Sequence, residues 1–138
     1  MIDLETARTF FAGAPFMVDL GIAPTAVSKG RCETEMVLLP RHLQHTGQCH
    51  AGVVTSLADH TAGAAAQTVI DGDGVAITAE LKISLLRPAK GDRLVCTGVV
   101  IKPGRALIFA EAEVHAVTGE QRTLVAKLSA TLAVVQLR

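Results

Sequence analysis

The sequence predicts an α+β fold in which one long central helix packs against an antiparallel sheet of five or six strands. Residues 51–70 contain no proline, and their apolar side chains recur at helical spacing. Four segments after residue 71 have strand-like patterns separated by turn signals, and two more precede the helix. Strands joined in series by short turns favour an antiparallel meander, and the helix must cover its apolar face.

Length and composition indicate one domain over residues 1–138. Hydrophobic residues make up 49% of the chain, yet no apolar run is long enough to span a bilayer. We therefore expect the apolar excess to serve subunit contacts rather than a membrane. The 13 basic residues balance the 13 acidic ones, so no net positive field recruits nucleic acid.

The amino terminus and the cysteines favour a cytoplasmic protein. Asp3 and Glu5 stand where an export signal would be basic. Cys32, Cys49 and Cys96 are far apart and form no CxxC motif, so we interpret them as reduced thiols.

Three elements are expected before the central helix. Residues 3–12 are predicted to form a short helix that Asp3 caps and that Gly13 and Pro15 end. Two strands are then predicted between residues 18 and 38, joined around residues 28–30. In the second strand one face is expected to carry Cys32, Thr34, Met36 and Leu38, and the other Arg31, Glu33 and Glu35.

The remaining strands are predicted over residues 75–85, 94–101, 106–117 and 123–135. The first of them alternates in residue type along its whole length. Its apolar set, expected on a single face, is Val75, Ile77, Ala79, Leu81, Ile83 and Leu85, and the opposite face would carry Ala76, Thr78, Glu80, Lys82 and Ser84.

The central helix carries a single acid, Asp59, on a face that is small as well as polar. Ser56, His60, Gly63 and Gln67 share that face. Between residues 41 and 71 no other formally charged side chain occurs. A lone acid in a helix is usually a solvated surface group, since a buried unpaired carboxylate is costly. The isolation of Asp59 instead favours a functional carboxylate.

The start of this helix is unusual because His50, rather than Ser, Thr, Asp or Asn, precedes Ala51. Free N–H groups at a helix start can bind an oxygen that carries negative charge. Gly47 and Gly52 lie beside this position and leave room for a ligand. The alternative is that His50 or a water molecule caps the helix.

The runs His50-Ala51-Gly52, Leu57-Ala58-Asp59 and Gly63-Ala64-Ala65 together resemble the motif of PaaI-type hotdog-fold acyl-CoA thioesterases. The usual form of that motif is His-Gly-Gly, then an Asp, then small residues. The resemblance covers nearly the whole chain. It implies the hotdog fold, in which a curled antiparallel sheet wraps one long central helix.

The resemblance also implies roles for three residues. In the family the Asp is the catalytic carboxylate, which falls on Asp59. The amide after the motif His polarises the thioester carbonyl, which falls on Ala51, and an Asn or Gln six residues before that His assists, which falls on Gln44. Ala51 departs from the usual Gly, but a backbone N–H serves whatever the side chain.

The implied activity is hydrolysis of an aryl- or medium-chain acyl-CoA, with Asp59 acting as general base or as nucleophile. Two alternatives remain open. A hotdog dehydratase or hydratase would pair the acid with a histidine, and His50 and His60 are available. A non-catalytic acyl-CoA binding protein is the other alternative.

Further residues are expected to contact the substrate, with no cofactor and no metal. Basic side chains in two turns would bind the phosphates of coenzyme A, and Thr78 resembles a Ser/Thr that positions water in related enzymes. A zinc site made from His42, His45, Cys49 and His50 is disfavoured because no HExxH or CxxC accompanies them. A nucleophilic Cys49 is disfavoured in the same way. The expected substrate contacts are His50, Gly52, Thr78, Arg87, Lys90 and Arg105.

The spacing of the motif predicts an oligomer. Ala51 and Asp59 are eight residues apart, hence about 12 Å apart along one helix. Reacting groups must meet within about 3–3.5 Å. We therefore expect a homodimer or homotetramer in which each site takes residues from two chains related by a two-fold axis.

Overall fold

Residues 3–137, the part of the chain that the computed structural model describes, form three α-helices and one six-stranded sheet. In chain order the elements are α1 (Leu4–Ala12), α2 (Pro15–Leu20), β1 (Ala23–Ser28), β2 (Arg31–Val37), a 3-10 turn (Pro40–His42), α3 (Ala51–Gln67), β3 (Gly74–Leu85), β4 (Arg93–Lys102), β5 (Leu107–Thr118) and β6 (Gln121–Gln136).

The sheet is antiparallel throughout, with the strand order β1-β2-β4-β5-β6-β3. The predicted meander is right for β4, β5 and β6 but wrong for β3, which pairs with β6 rather than with β4. The reason is the helix that precedes β3. Helix α3 crosses one face of the sheet and contacts β2 through β6, so the chain leaves it at the far edge. Strand β3 is consequently an edge strand.

Helix α3 lies close to the sheet because its buried face is built mainly from small side chains. The buried residues of the helix are Val54, Leu57, Ala58, Thr61, Ala62, Ala65 and Ala66. Beneath it on β4 lies Gly98, where an added Cβ would stand 2.7 Å from the carbonyl oxygen of Thr61. The hydroxyl oxygens of Thr61 and Thr34 are 2.6 Å apart, which satisfies two buried polar groups. The predicted central helix against the sheet is confirmed.

In the amino-terminal region the first predicted element is confirmed and the start of the second is wrong. Helix α1 forms as expected, and the Asp3 carboxylate accepts the Thr6 N–H at 2.8 Å. The strand expected from residue 18 is wrong over its first residues, which belong to α2. Pro15 suits the first turn of a helix, and Gly21 ends it in the left-handed region at φ 75°.

Strand β2 shows the predicted alternation. Cys32, Thr34 and Met36 are buried, whereas Arg31 and Glu35 are exposed. This period of two fixes which face of the sheet meets the helix.

Strand β3 changes face at Ala79. Residues directly opposite each other in an antiparallel pair share a face. Thr78 lies opposite the buried Leu132, and Leu81 lies opposite the buried Ala130, with a register shift between Thr78 and Glu80. One extra residue reverses the alternation of every side chain that follows it.

The predicted single apolar face of β3 is therefore wrong over its first half. Thr78 faces the helix there, while Ile77 faces outward opposite Ala133 and is 47% exposed. After the bulge the apolar residues Leu81 and Leu85 do face the helix side, yet they are 39% and 54% exposed.

Candidate active site

The Asp59 carboxylate lies on the half-buried face of α3 and is oriented by β3. The Thr78 hydroxyl donates a hydrogen bond to Asp59 Oδ1 at 2.8 Å. No residue in the range 3–137 donates a hydrogen bond to the other oxygen, Oδ2. The bulge at Ala79 makes this contact possible, because it turns the polar side of the first half of β3 toward the helix. One carboxylate oxygen is thus held while the other is available to a ligand.

The start of α3 is only partly open, which corrects the expectation of uncapped amides. His50 Nδ1 accepts the Gly52 N–H at 2.8 Å, so His50 is the N-cap. The carbonyl oxygen of His50 accepts from Val53 and Val54. Among the residues that the structure describes, none accepts the Ala51 N–H. One amide of the first turn therefore remains available.

Gly52 has a steric reason to be glycine. A Cβ at this position would stand 3.0 Å from His50 Nδ1, so a side chain would press on the capping ring. The geometry gives His50 and Gly52 a role in the cap, and direct contact of either residue with a substrate stays a prediction.

Gln44, Ala51 and Arg87 are brought together around one cleft of about 140 Å³. Gly47, at φ 86°, closes a tight turn in which its N–H donates to the Gln44 carbonyl at 2.9 Å. The same loop is tied to the β3–β4 connection, because Cys49 N–H donates to the Ala89 carbonyl at 2.9 Å. The helix start, the amide side chain and one basic side chain therefore share a cleft.

Three of the other predicted site residues lie outside this cleft. Asp59 does not line this cleft. Lys90 is exposed in the turn that precedes β4. Arg105 lines a separate opening with Asp71 and Pro103, near the far end of α3.

The thiols are poorly suited to act as nucleophiles, since burial raises the pKa of Cys49 to about 11. Burial raises the pKa of Cys32 to about 12 in the same way. A reaction that needs a thiolate near neutral pH is therefore disfavoured.

His60 packs into the core beside the site. Its ring meets Phe11 edge-on, with 4.5 Å between the ring centroids. Burial lowers its pKa, and the neighbouring Asp59 carboxylate opposes that effect. We find the imidazole next to a phenyl ring rather than hydrogen-bonded to the Asp59 carboxylate.

Two of the side chains weighed as metal ligands have other partners. His42 Nδ1 accepts the Leu39 N–H at 3.0 Å, and His50 Nδ1 caps the helix. Within residues 3–137, no three His, Cys, Asp or Glu side chains are grouped to hold a metal ion. In the same range, the helices are all too short or too polar to cross a bilayer.

Sequence reasoning missed the contact that fixes the start of β3. Gln67 Nε2 donates to the Gly74 carbonyl at 2.9 Å, and its Oε1 accepts the Ala76 N–H at 3.0 Å. In the sequence, the only indication of this contact was that the Gln67 amide shares a helix face with Asp59. Gln67 anchors the strand that carries Thr78.

The sequence matches one protein family and is similar to a relative of named function. The model of the thioesterase superfamily matches residues 46–123, more than half of the chain. A protein of Caenorhabditis elegans named as a candidate esterase is 34% identical over 93 residues, 67% of this chain and 54% of its own length. The chain thus spans about half the length of that relative.

Two solved structures share the whole architecture. A thioesterase family protein from Silicibacter pomeroyi has a TM-score of 0.91 and 32% identity, covering 95% of this chain and 96% of that chain. The PaaI protein from the phenylacetic acid degradation operon of Escherichia coli has a TM-score of 0.84 and 23% identity, covering 95% and 91%. At that identity the second likeness concerns the fold alone.

A long helix held by a six-stranded antiparallel sheet, with these neighbours, defines a hotdog-fold protein. The chain belongs to the thioesterase superfamily. The predicted family and the predicted fold are both confirmed, and the predicted class of enzyme, thioester hydrolase, is that of the family.

Proposed function

We propose that this protein hydrolyses an acyl-CoA thioester of an aryl or medium-chain acid to the free acid and coenzyme A. The observation that carries the proposal is the isolated Asp59 carboxylate, oriented by Thr78 on the helix whose first N–H has no acceptor within residues 3–137. Membership of the thioesterase superfamily supports the reaction class. The reaction needs no cofactor.

The Ala51 N–H is the proposed donor to the thioester carbonyl oxygen. Negative charge develops on that oxygen as the tetrahedral intermediate forms, and a helix start favours such charge. One donor of this kind is typically worth about 3 kcal/mol in the transition state. Gln44, in the same cleft, would orient the thioester or the water through its amide.

Asp59 would act in one of two ways. As general base it takes a proton from water, whose oxygen attacks the carbonyl carbon, and the C–S bond then breaks to release the thiolate. As nucleophile, Asp59 itself attacks the carbonyl carbon, the C–S bond breaks to release the thiolate, and water hydrolyses the resulting anhydride. Single-turnover hydrolysis in heavy-oxygen water tests for direct attack, because label enters the Asp59 carboxylate only when water adds to the Asp59 carbonyl carbon of the anhydride.

The site would take residues from two protomers of a homodimer or homotetramer. Asp59 stands outside the cleft that Ala51 and Gln44 line, which supports a division of the site between chains. The exposed Leu81 and Leu85 on the helix side of an edge strand support the same division. We expect this assembly in the cytoplasm, and the three free thiols agree with that expectation.

The phosphates of coenzyme A would bind basic side chains at the mouth of the cleft. Arg87 lines the cleft, although its Nη1 also donates to the Leu124 carbonyl at 3.0 Å. Lys90 lies three residues further along the same turn. Arg105 would contribute only from another chain, since it lines a different opening.

The test of the reaction is release of free thiol from a panel of acyl-CoA substrates that differ in chain length and aryl group. Steady turnover on any member of the panel supports hydrolysis. Hydration of a 2-enoyl thioester without thiol release would instead indicate the hydratase alternative. Saturable binding with no chemistry would indicate a binding protein.

The test of the shared site mixes two inactive variants, Asp59→Asn and Gln44→Ala, after dissociation and reassociation. Random exchange makes half of the dimers mixed, and each mixed dimer regains one of its two sites. Activity should return to about a quarter of the wild-type value. If exchange is verified and activity stays at the level of the parents, each site belongs to one chain.

A further inference from the structure

Two sets of hydrogen bonds join α3 to β3. At the first, the Thr78 hydroxyl donates to Asp59 Oδ1 at 2.8 Å. At the second, Gln67 Nε2 donates to the Gly74 carbonyl at 2.9 Å, and Gln67 Oε1 accepts the Ala76 N–H at 3.0 Å. In the part of the chain that the structure describes, every side-chain hydrogen bond between these two elements involves Asp59 or Gln67. The strand is therefore attached to the helix at two points.

We infer that Gln67 is a positioning residue for the proposed reaction, because it fixes the first half of β3 and so keeps the Thr78 hydroxyl on the Asp59 carboxylate. This inference rests on the proposed function and deepens it. Gln67 lies about two helical turns beyond Asp59. It acts through Thr78 rather than on the substrate.

The two attachment points are nearly the same distance apart on both elements. Asp59 and Gln67 are eight residues apart in the helix, or about 12 Å. Gly74 and Thr78 are four residues apart in the strand, or about 13 Å. Both contacts can therefore form at once while the strand runs back along the helix. One contact alone would let the strand pivot about it, whereas two contacts fix its direction as well as its position.

The first half of β3 needs this support because it lies at the edge of the sheet. Among the described strands only β6 pairs with it, and that pairing shifts register between Thr78 and Glu80. Midway between the two attachment points on the helix lies Gly63. A Cβ added there would be 3.6 Å from Leu132, which is an ordinary contact. Gly63 has no side chain that could hold the strand, so the support comes from Gln67.

The Gln67 side chain is itself held in place. Its two amide atoms bind β3 as a peptide group of a neighbouring strand would, and the reverse orientation of the amide would set donor against donor. Gln67 is half-buried and lines a cavity of about 60 Å³ together with Phe10 and Phe11 of α1. Packing beneath α1 restricts this long side chain, so less conformational entropy is lost when the amide binds the strand.

The next residue, Thr68, provides a matched control. Its hydroxyl donates to the Ala65 carbonyl at 2.6 Å and accepts the Gly30 N–H at 2.7 Å. Thr68 thus ties the same end of α3 to the turn between β1 and β2 instead of to β3. Gln67→Met and Thr68→Val each remove two hydrogen bonds at this end of the helix, but only the bonds of Gln67 hold β3.

Gln67→Met should lower kcat about fivefold and leave KM within about twofold, because an orienting hydroxyl acts on the chemical step. Thr68→Val should lower the melting temperature to a similar extent and leave kcat unchanged. Gln67→Asn keeps an amide but is one methylene shorter, so it cannot bridge both backbone groups and should also lower kcat. It replaces Gln67→Met if that variant fails to fold. Equal losses of kcat in the Gln67 and Thr68 variants, or unchanged kcat in the Gln67 variants, would overturn the inference.

A double-mutant cycle tests whether Gln67 acts through Thr78. If it does, Gln67→Met should change kcat by less than about twofold in the Thr78→Val background, since the hydroxyl that it positions is already gone. Two effects that multiply would mean that Gln67 acts by another route, and the inference would be wrong.

The orientation of Thr78 can also be measured without substrate. Three-bond couplings to the Thr78 methyl carbon report its χ1 rotamer. We expect one rotamer in the wild-type protein and in Thr68→Val, and averaging between rotamers in Gln67→Met. An unchanged coupling in Gln67→Met would overturn the inference even if kcat falls.

Thiol release by the wild-type protein on the acyl-CoA panel separates the two proposals. If no thiol is released while Gln67→Met changes the Thr78 coupling, the proposed function is wrong and Gln67 still positions Thr78. If hydrolysis is robust while Gln67→Met retains the wild-type kcat and coupling, the positioning role is wrong and the function stands.

Discussion

The candidate site has two halves, the Asp59 carboxylate and the Ala51 N–H, which lie on the same helix. They differ in whether the same chain supplies a hydrogen-bond partner. At the carboxylate half, Asp59 is half-buried and accepts a hydrogen bond from Thr78 across the helix–sheet contact. At the amide half, Ala51 is exposed, and its N–H has no acceptor within residues 3–137. The carboxylate is therefore already oriented by the chain itself, whereas the Ala51 N–H can donate to a ligand.

The contrast supports the proposal that a single helix serves two sites. The middle of the helix, at Asp59, packs against its own sheet. The first turn, eight residues earlier, lines a cleft. The proposed reaction needs the two groups to meet, so we expect the oriented half of one chain to act together with the open half of another. Substitutions at Asp59, Ala51 and Thr78 distinguish the two halves.

Asp59→Asn should lower kcat by about 10²–10⁴-fold, because it removes the group that accepts a proton in the transition state. The Asn side-chain oxygen can still accept from Thr78, so the fold should be retained. Thiol-release kinetics and thermal unfolding measure the two effects. The matched control is Asp71→Asn in the exposed turn after α3. Full activity in Asp59→Asn would refute the proposed role of the carboxylate.

Ala51→Pro should lower kcat by about 10²–10³-fold, because proline has no N–H to donate to the oxyanion. Proline suits the first position of a helix, and the preceding His50 already has φ −62° and ψ 138°, which proline requires of its neighbour. The variant should therefore fold. A folded and active proline variant, judged by its melting temperature and kcat, would remove the amide half from the site.

Thr78→Val should lower kcat about tenfold while leaving the protein folded. Valine matches threonine in shape but cannot donate to Asp59 Oδ1, and a hydrogen bond to a charged group is worth about 1.5–3 kcal/mol. Thr78→Ser keeps the hydroxyl and is the matched control. Comparing kcat with KM for the two variants checks the assignment, since an orienting hydroxyl should act on kcat. Equal kcat in valine and serine variants would exclude that role.

Ala51→Gly should change kcat by less than about twofold, because only the backbone N–H is needed at this position. The smaller residue should admit a wider range of acyl groups into the cleft. The acyl-CoA panel measures both effects. A large loss of kcat would mean that the alanine methyl group itself contributes to the site.

Much of the fold follows from local patterns. The alternation in β2, the proline-free helix and the Asp3 cap were all predictable, because each depends on neighbours within a few residues. The strand over residues 18–20 was wrong because Pro15, interpreted as the end of the first helix, begins a second helix, which Gly21 ends.

The site was less predictable than the fold. Asp59, Ala51 and Gln44 came from a motif, but the bulge at Ala79 has no signal in an alternating sequence. Without the bulge, Thr78 cannot be assigned to the side of Asp59. Contacts between residues far apart in the chain, such as the one between Gln67 and β3, depend on a strand order that short-range patterns do not determine.

Gly98 has a consequence for how such an enzyme can diverge. A single added carbon there would collide with the backbone of α3. The distance between the helix and the sheet therefore depends on Gly98, and so does the contact between Asp59 and Thr78. Leu81 and Leu85, by contrast, are exposed and can vary in size without moving the helix. Mutational drift can therefore change what fits beside β3 while the contact between Asp59 and Thr78 is retained.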